Sequence, residues 1–353
     1  MSTKIEWANE TWNPIVGCTK VSPGCDHCYA ERMATRLRSM SKKWDNAGRN
    51  IFHMSAMGQY SEVISDDNKW TGKTAFNNET ILKPLRWRNP RRIFVCSMGD
   101  LFHESVPLEW IDKVMVIAAL MPKHTFMILT KRPERMKDYF FEDKNKLIER
   151  WESACYDIGI SDKHDDIDMP PCWVFNRAQD EWPLKNLWLG VTTENQEQAD
   201  KRIPILLQIP AAKRFISVEP MLGPIDLTDI QIGNQLANVL SGVGDISPLM
   251  HTIDWVICGG ESGPRARPMH PHWVRLLRDL CYVTKARFTF KQWGEWIQLD
   301  KKHAMIEGEI VLGIDGKEYI MAGDHLKPVI MKKVGKKASG RELEGKIYDY
   351  YPA

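Results

Sequence analysis

The stretch DWVICGGES, residues 254–262, joins four consecutive apolar residues to a polar, glycine-rich turn. An apolar run without alternation is typical of a parallel strand that is buried on both faces. Five other stretches have the same form: RRIFVCSMGD at 91–100, TFMILTKR at 125–132, LWLGVTTE at 187–194, RFISVEP at 214–220 and RFTFKQWG at 287–294. Together with NPIVGC at 13–18, they predict seven strands.

Helical patterns separate these strands. Residues 110–121 are strongly apolar and are followed by Pro122, and Thr193 with Gln196 has capping-box spacing before another helix, in which Pro204 should cause a kink or an end. Strands that alternate with helices predict an α/β fold, here a parallel β/α array closed or partly closed as a barrel. We assign residues 1–296 to this barrel, with insertions at about 41–90 and 141–186, and residues 297–353 to a C-terminal extension.

Composition excludes some classes of protein. The 353 residues are 43% hydrophobic, which is enough for a large core, and 48 basic against 46 acidic side chains leave a net charge of only +2. No overall field therefore attracts nucleic acid or membrane. Neither a signal peptide nor an apolar span of membrane length is apparent, so we expect a cytoplasmic protein without a membrane partner. Its eight cysteines should then be reduced.

Three of the cysteines lie close together in NPIVGCTKVSPGCDHCYAER, residues 13–32, with the spacing C-x6-C-x2-C. A structural zinc ion needs four ligands, and the only nearby addition to Cys18, Cys25 and Cys28 is His27, whose side chain we expect to point away. Three thiolates can instead hold a 4Fe-4S cluster and leave one iron open to a small molecule. The Pro-Gly pair at 23–24 allows the tight turn that such a loop requires.

Polar residues occur where the predicted strands end. Active sites of β/α folds gather at these carboxyl ends, although single residues there are often ordinary turn residues or helix caps. The residues concerned are Ser97, Asp100, Lys131, Arg132, Thr192, Glu194, Glu219 and Glu261.

Further candidates accompany them. Lys131 and Arg132 could bind a cofactor carboxylate or a substrate phosphate, or be solvated strand ends. The glycine-rich segment 259–271 adds Arg265, Arg267 and His270 to a possible anion or substrate pocket. Two thiols that also end strands, Cys96 and Cys258, are either reactive or substrate-binding residues, or core filler.

Two basic segments suggest a nucleic-acid partner. In LKPLRWRNPRR, residues 82–92, Trp87 lies among five cationic side chains, and the C-terminal part carries Lys332, Lys333, Lys336 and Lys337. Basic groups beside an aromatic ring suit both phosphates and bases, so DNA is a candidate partner. A solvated charged surface is the alternative.

The cysteine loop resembles the cluster loop of radical S-adenosylmethionine (radical SAM) enzymes. More closely, TWNPIVGCTKVSPGCDHCYAER, SMGDLFHE, LTKRPERM, LGVTTENQ, SVEPMLGPID, VICGGESGPRARPMHP and FKQWGEW resemble motifs of a phage- and prophage-encoded branch of that superfamily. The similarity extends from about Ile5 to Trp296. One departure is the six-residue spacing after the first cysteine, where most members have three, and another is SMGD in place of the usual glycine-glycine-glutamate.

The resemblance implies an enzyme with a 4Fe-4S cluster held by Cys18, Cys25 and Cys28, and with S-adenosylmethionine on the open iron. A low-potential donor of the flavodoxin or ferredoxin type would supply the electron that cleaves the cofactor to a 5′-deoxyadenosyl radical. The residues implied in cofactor binding are His27, Ser97, Asp100, Thr192, Glu194 and Glu219. Candidate catalytic residues are Cys96, Cys258 and Glu261.

The phage context of the resemblance suggests a substrate. Phages modify their DNA bases to evade host restriction, and rearranging a substituent on thymine suits radical chemistry. We therefore expect an isomerase that acts in the host cytoplasm on a hypermodified thymidine, such as one with an aminoacylated 5-methyl group, presented single-stranded or flipped out. The alternatives are a radical SAM enzyme for another nucleoside, RNA or peptide, and a non-catalytic, zinc-stabilised nucleic-acid-binding protein.

Overall fold

The structure is a computed structural model that describes residues 5–46, 58–160, 172–241, 251–300, 307–320, 323 and 326–352. Parts of the two predicted insertions and of the C-terminal extension lie outside these residues. The chain divides into two compact units. The first comprises Met1–Val21, Cys28–Gly190 and Ile209–Ala212, and the second Ser22–His27, Val191–Gln208 and Lys213–Ala353. The predicted domain boundary at residue 296 stays a prediction.

The strands of the first unit begin with β1 (Glu10–Trp12), β2 (Ile15–Val16), β3 (Ala75–Phe76), β4 (Arg92–Val95) and β5 (Thr125–Thr130). Strands β1, β4 and β5 pair in parallel, with Trp12 opposite Val95 and Val95 opposite Ile128. The amide of Phe126 donates to the carbonyl of Asn186, which precedes β6 (Leu187–Thr192). β6 contributes its first four residues to this unit and its last two to the second.

The first strand of the sheet lies earlier than predicted. Ile15 and Val16 form the short β2, which pairs antiparallel with β3, whereas β1 takes the place beside β4. The proline at position 14 has no N–H and separates the two short strands. Trp12 anchors β1, because its ring is buried and its Nε1 donates to the carbonyl of Thr80 at 2.8 Å.

Helices of the first unit are α1 (Tyr29–Asn46), α2 (Tyr60–Val63), α3 (Asn78–Ile81), α4 (Leu108–Leu120), α5 (Pro133–Phe141), α6 (Lys144–Asp157) and α7 (Cys172–Asp180). The apolar α4 is almost wholly buried, as its sequence indicates. Within the predicted insertion, α6 contacts α4 through Asp112, which accepts hydrogen bonds from Arg150 Nε at 2.9 Å and from Tyr139 Oη at 2.6 Å. The described part of the insertion is thus fastened by a buried polar cluster.

The second unit contains β7 (Lys213–Val218), β8 (Ile230–Ile232), β9 (Gln235–Ala237), β10 (Trp255–Gly259) and β11 (Arg287–Gln292), followed by β12 (Trp296–Leu299), β13 (Glu309–Leu312), β14 (Glu318–Tyr319) and β15 (Val329–Lys333). Strands β7, β10 and β11 are parallel, and β12, β15, β13 and β14 form an antiparallel sheet in that order. The helices are α8 (Gln196–Leu206), α9 (Pro271–Thr284) and α10 (Lys336–Ser339).

Helix α8 begins near Asn195, as predicted, but its capping residue differs from the prediction. Asn195 caps it by accepting a hydrogen bond from the amide of Gln198 at 3.0 Å, so the predicted cap at Thr193 is wrong. Thr193 instead continues the strand, because its amide donates to the carbonyl of Ser217. Pro204 lies inside the last turn of α8, which ends two residues later.

Hydrogen bonds join seven parallel strands in the order β1, β4, β5, β6, β7, β10, β11, which confirms an α/β fold with a parallel sheet. Five of the seven strands lie within the stretches that the sequence predicts, and β7 begins one residue before its stretch. The order ends at β1 and β11, so the described strands form an open sheet. On the outer side of β11 the tail pairs antiparallel, with Phe290 N donating to Tyr348 O at 2.9 Å. No described helix is long and apolar enough to cross a membrane.

Candidate active site

The carboxyl ends of β4 and β5 meet at a buried aspartate in the first unit. Asp100 follows β4, and its Oδ1 accepts hydrogen bonds from Thr130 Oγ1 at 2.7 Å and from the amide of Phe102 at 3.0 Å. Its Oδ2 accepts from the amide of Lys131 at 3.2 Å and from Arg132 Nη1 at 3.1 Å. Two residues predicted from strand ends, Asp100 and Arg132, are therefore ion-paired, and Lys131 contributes its backbone.

Arg132 is the centre of this site, because its buried guanidinium contacts four other residues. Nε donates to Glu104 at 2.8 Å and Nη2 to the hydroxyl of Thr19 at 2.6 Å. Nη1 lies 3.7 Å from the sulfur of Cys18, the first cysteine of the loop. Burial alone would lower the pKa of Arg132, but the charges of Asp100, Cys18 and Glu104 raise it above its ordinary value. The cation is thus permanent and directed at the sulfur.

Three further residues of this site, Thr19, His103 and Glu104, are not among the residues predicted from strand ends. His103 is buried, its Nδ1 accepts from the amide of Ser105 at 3.1 Å, and its Nε2 lies 3.0 Å from the Thr19 hydroxyl. Burial lowers the pKa of His103, so the ring is neutral with its proton on Nε2. His103 and Glu104 belong to the motif SMGDLFHE and Thr19 follows Cys18, but a single sequence does not indicate that these two segments meet.

Two glycines bring the beginning of the cysteine loop against the turn after β4. Gly17 and Gly99 form a parallel bridge, and a Cβ on Gly99 would lie 2.9 Å from the Gly17 carbonyl oxygen. Only glycine permits this approach. On the other side of the same turn, Tyr29 Oη donates to the carbonyl of Ser97 at 2.8 Å, and Ser97 Oγ donates to Asn13 at 3.1 Å.

In the second unit, a buried glutamate holds the middle of the cysteine loop. Residues Pro23–Cys25 form a single 3-10 turn, with the amide of Cys25 bonded to the carbonyl of Ser22 at 2.8 Å. The amide of Gly24 donates to Glu194 Oε1 at 3.0 Å, and Oε2 of the same carboxylate accepts from Arg202 Nη1 at 2.9 Å. Arg202 also donates to the carbonyl of Thr192.

A second carboxylate of this unit, Glu261 after β10, holds the end of the loop. Its Oε2 lies 3.0 Å from His27 Nδ1 and accepts from Arg267 Nε at 2.9 Å, while Oε1 accepts from Arg267 Nη2 at 2.6 Å. Arg267 also donates to the carbonyl of Pro23 at 2.8 Å and to Asp26 at 3.3 Å. Burial alone would raise the pKa of Glu261, but these donors lower it below the ordinary value.

His27 is oriented by this contact. Because an ionised carboxylate only accepts hydrogen bonds, Nδ1 of His27 carries a proton in this contact. The remaining strand-end acid of the unit, Glu219 after β7, pairs with Lys291 Nζ at 2.7 Å. Glu194, Glu219 and Glu261 thus each have a cationic partner in the same unit.

The three loop cysteines differ in exposure from the other described ones. Cys18 and Cys28 of the first unit and Cys25 of the second are partly exposed. The buried cysteines are Cys96, Cys155, Cys258 and Cys281. Among the described residues, no three His, Cys, Asp or Glu side chains are already gathered as metal ligands. The ligand set therefore stays a prediction from the spacing.

The candidate catalytic thiols Cys96 and Cys258 lie in the cores of their units. Burial raises the pKa of Cys96 to about 12 and that of Cys258 well above its ordinary value. Cys258 packs with its sulfur 3.7 Å from that of Met221. Such contacts are those of core residues, and they give a catalytic role no support.

The candidate substrate residues at 259–271 have different surroundings. Arg267 is bound to Glu261, whereas Arg265 is exposed. His270 caps α9: its Nδ1 accepts from the amide of His272, and its Nε2 donates to the carbonyl of Lys327. Both nitrogens are used, and burial lowers the pKa of His270 and keeps it neutral. Its contacts therefore give substrate binding no support.

The basic segment 82–92 lies at the amino end of β4, opposite to the end that Asp100 follows. Within it, Arg91 is bound to Glu10 at 2.7 Å and lies over the ring of Trp87 at 5.1 Å. In this unit the segment is therefore separated from the Asp100–Arg132 site by the length of β4.

Comparison with known families identifies the one to which nearly the whole chain is similar. The family described as "Protein of unknown function (DUF5131)" matches residues 2–352. No curated protein matches the chain. No solved structure matches it either.

Proposed function

Because the chain belongs to the DUF5131 family, whose description states no function, we propose from its own residues that it is a radical SAM enzyme with a 4Fe-4S cluster on Cys18, Cys25 and Cys28. The parallel sheet supports the proposal, because β/α arrays collect their chemistry at the carboxyl ends of the strands. The observation that carries the proposal is that side chains from distant parts of the chain hold the cysteine loop, residues 18–28, in place.

The donor chemistry fits such a group. The three thiols are partly exposed, whereas the described cysteines elsewhere are buried. A permanent guanidinium cation lies 3.7 Å from the sulfur of Cys18, and cations of this kind stabilise thiolates. Glu194 and Arg267 hold the intervening turn by its backbone, at Gly24 N and Pro23 O. A loop held so firmly suits ligands that must converge on one point.

When bound, the cluster supplies the electron that cleaves S-adenosylmethionine to a 5′-deoxyadenosyl radical. The side chains of the protein would position the cofactor. The ring of His27 is oriented by the contact of its Nδ1 with Glu261. In the first unit Asp100 holds Arg132, and Ser97 lies on the adjacent turn. We assign contacts with the cofactor to His27, Ser97 and Asp100, and to the strand-end residues Thr192, Glu194 and Glu219.

The favoured substrate is a hypermodified thymidine of phage DNA, isomerised by hydrogen abstraction to help the phage evade host restriction. A donor of the flavodoxin or ferredoxin type is the partner that this chemistry requires. The proposed substrate contacts are Lys131, Arg265 and Arg267, whose side chains are at least partly exposed. A radical SAM enzyme for another nucleoside, RNA or peptide would use the same residues.

The test begins with the protein purified and reconstituted under anaerobic conditions. We expect a brown protein with about four irons per chain, which releases 5′-deoxyadenosine after reduction with dithionite in the presence of S-adenosylmethionine. Replacing Cys18, Cys25 and Cys28 together with alanine should abolish both properties. The matched control is Cys281→Ala, which removes a buried thiol and should leave the iron content unchanged.

Two outcomes would contradict the proposal. A colourless protein with stoichiometric zinc would favour the non-catalytic nucleic-acid-binding alternative. Iron retained in the triple alanine variant would exclude the loop as the ligand set. The substrate is tested separately, since an unchanged base composition of virion DNA after deletion of the gene would exclude phage thymidine and leave the cluster chemistry intact.

A further inference from the structure

A cavity of about 490 Å³ lies in the second unit, between the end of α9, the beginning of β11 and the C-terminal tail. One wall is the last turn of α9, and the other is the tail, which is hydrogen-bonded to β11 at Tyr348 and Tyr350. Its volume is that of a small-ligand site. No residue of the carboxyl-end site described above lines it. The lining residues that matter here are Arg278, Asp279, Tyr282, Lys285, Arg287, Lys346, Tyr348 and Tyr350.

The cavity is strongly basic. Its one carboxylate, Asp279, pairs with Arg278 at 2.8 Å, and Arg278 also contacts Glu344 just outside the lining. Three further cations remain, Lys285, Arg287 and Lys346, and all three are exposed. No described carboxylate lies within ion-pair distance of any of them. Unneutralised cations around a concave site attract a polyanion or a phosphate.

The cavity is also aromatic. The ring of Tyr348 lies 5.9 Å from Phe288, 6.1 Å from Tyr350 and 5.9 Å from the guanidinium of Arg278. Tyr282 is 85% exposed and Tyr350 is 55% exposed, although tyrosine is commonly half-buried. Exposed flat rings beside cations are the combination by which proteins bind single-stranded nucleic acid, since bases stack on the rings while phosphates meet the cations.

We propose that this cavity binds single-stranded nucleic acid, with bases on Tyr282 and Tyr350 and phosphates on Lys285, Arg287 and Lys346. The cavity lies at the amino end of β11, whereas Glu219 and Glu261 follow the carboxyl ends of their strands in the same unit. The cavity is therefore a binding site for the nucleic acid and not the catalytic site. The inference goes beyond the proposed enzyme, because it requires neither iron nor S-adenosylmethionine.

The probe is a fluorescently labelled oligothymidylate, and binding to the full-length protein is measured by anisotropy over a range of salt concentrations. Tyr282→Ala with Tyr350→Ala should weaken binding about tenfold or more. The triple variant Lys285→Gln, Arg287→Gln, Lys346→Gln should reduce the slope of log K against log salt by about 2, since each phosphate contact on a single strand contributes about 0.7. All five side chains are exposed, so the fold should persist, which circular dichroism checks.

The matched control is Lys123→Gln, Lys146→Gln, Lys185→Gln, which removes three exposed cations outside the cavity and outside the basic segment 82–92. It should leave the affinity and the salt slope unchanged. The proposal is overturned if the wild-type protein does not bind the oligonucleotide, or if the control weakens binding as much as the cavity variants do. Binding to phosphatidylserine vesicles that requires the cavity residues, without oligonucleotide binding, would also overturn it and assign the surface to a membrane.

Discussion

Gly24 and Glu194 are separated by 170 positions in the chain, and the amide of Gly24 donates a hydrogen bond of 3.0 Å to the carboxylate of Glu194. Glu194 is fully buried and is held by Arg202 on its other oxygen. A backbone amide of the cysteine loop is thus bound to a rigid ion pair. This relationship defines where the turn between Cys18 and Cys28 lies within the second unit.

Gly24→Ala should disturb this contact. The new Cβ would lie 3.0 Å from Cδ and Oε1 of Glu194, and the carboxylate cannot retreat because Arg202 holds it. We expect a loss of about 1–3 kcal/mol in the free energy of unfolding, measured by urea denaturation, together with reduced iron incorporation. Gly58→Ala is the control, since a Cβ there meets nothing within 4 Å, and an equal loss in both variants would refute the explanation.

Arg267→Lys should loosen the end of the loop. Lysine keeps the charge but cannot bind Glu261 through two nitrogens while also reaching the carbonyl of Pro23. We expect reconstituted iron content to fall several-fold, measured by a colorimetric iron assay. Arg265→Lys changes an exposed neighbour and should retain full iron content. Equal iron content in both variants would show that the contacts of Arg267 with Glu261 and Pro23 are not required for the cluster to be bound.

Arg132→Gln removes the cation next to Cys18 and should change the electrochemistry of the proposed cluster. Hydrogen bonds and positive charge at a ligand sulfur favour the reduced state, so the midpoint potential should become more negative. Spectroelectrochemical titration measures this independently of turnover. Arg135→Gln, which alters an arginine that contacts the Val106 carbonyl, serves as the control. An unchanged potential in a variant with full iron content would exclude the tuning role.

Glu261 should make stability depend on pH. Its folded-state pKa lies below the ordinary value of 4.5, so its ionised form stabilises the fold above pH 4.5, and this contribution disappears as the pH falls through the folded-state pKa. Wild-type protein should therefore exceed Glu261→Gln in unfolding free energy near neutral pH and lose that advantage in acid. Urea titrations at a series of pH values measure the difference. A difference that is constant with pH would contradict the assignment.

Asp112→Asn should weaken the attachment of α6 to α4. It removes the charge that pairs with Arg150 and turns one of the two acceptor oxygens into an NH2 donor, so the donors of Arg150 and Tyr139 can no longer all be satisfied. Burial and Asp112 raise the pKa of Tyr139 well above its ordinary value. We expect a loss of about 2 kcal/mol in unfolding free energy. The control Asp157→Asn removes an exposed partner of Lys113 at 3.9 Å and should change stability by less than about 0.5 kcal/mol. Similar losses in both variants would mean that the buried cluster is not the cause.

Much of the fold could be predicted from local pattern. Continuous apolar runs identified six strands of the sheet, because burial on both faces leaves a signal within a few residues. The seventh was misplaced because β1 has only one apolar residue, Trp12, whereas the adjacent β2 is wholly apolar and attracts the assignment. The cap of α8 was misassigned because Thr193 and Asn195 have equivalent capping chemistry, and only the path of the backbone selects one.

The sequence by itself determined the order of strands and helices, the tight turn at Pro23–Cys25 and the strand-end residues Asp100, Arg132 and Glu261. These depend on composition and spacing over short distances. Tertiary structure alone decided their partners: Arg132 with Cys18 across 114 positions, and Glu261 with His27 across 234. It also placed His270 in a helix cap and the cavity tyrosines beside β11. Such pairings depend on how distant segments pack, and packing leaves no periodic signal in a single chain.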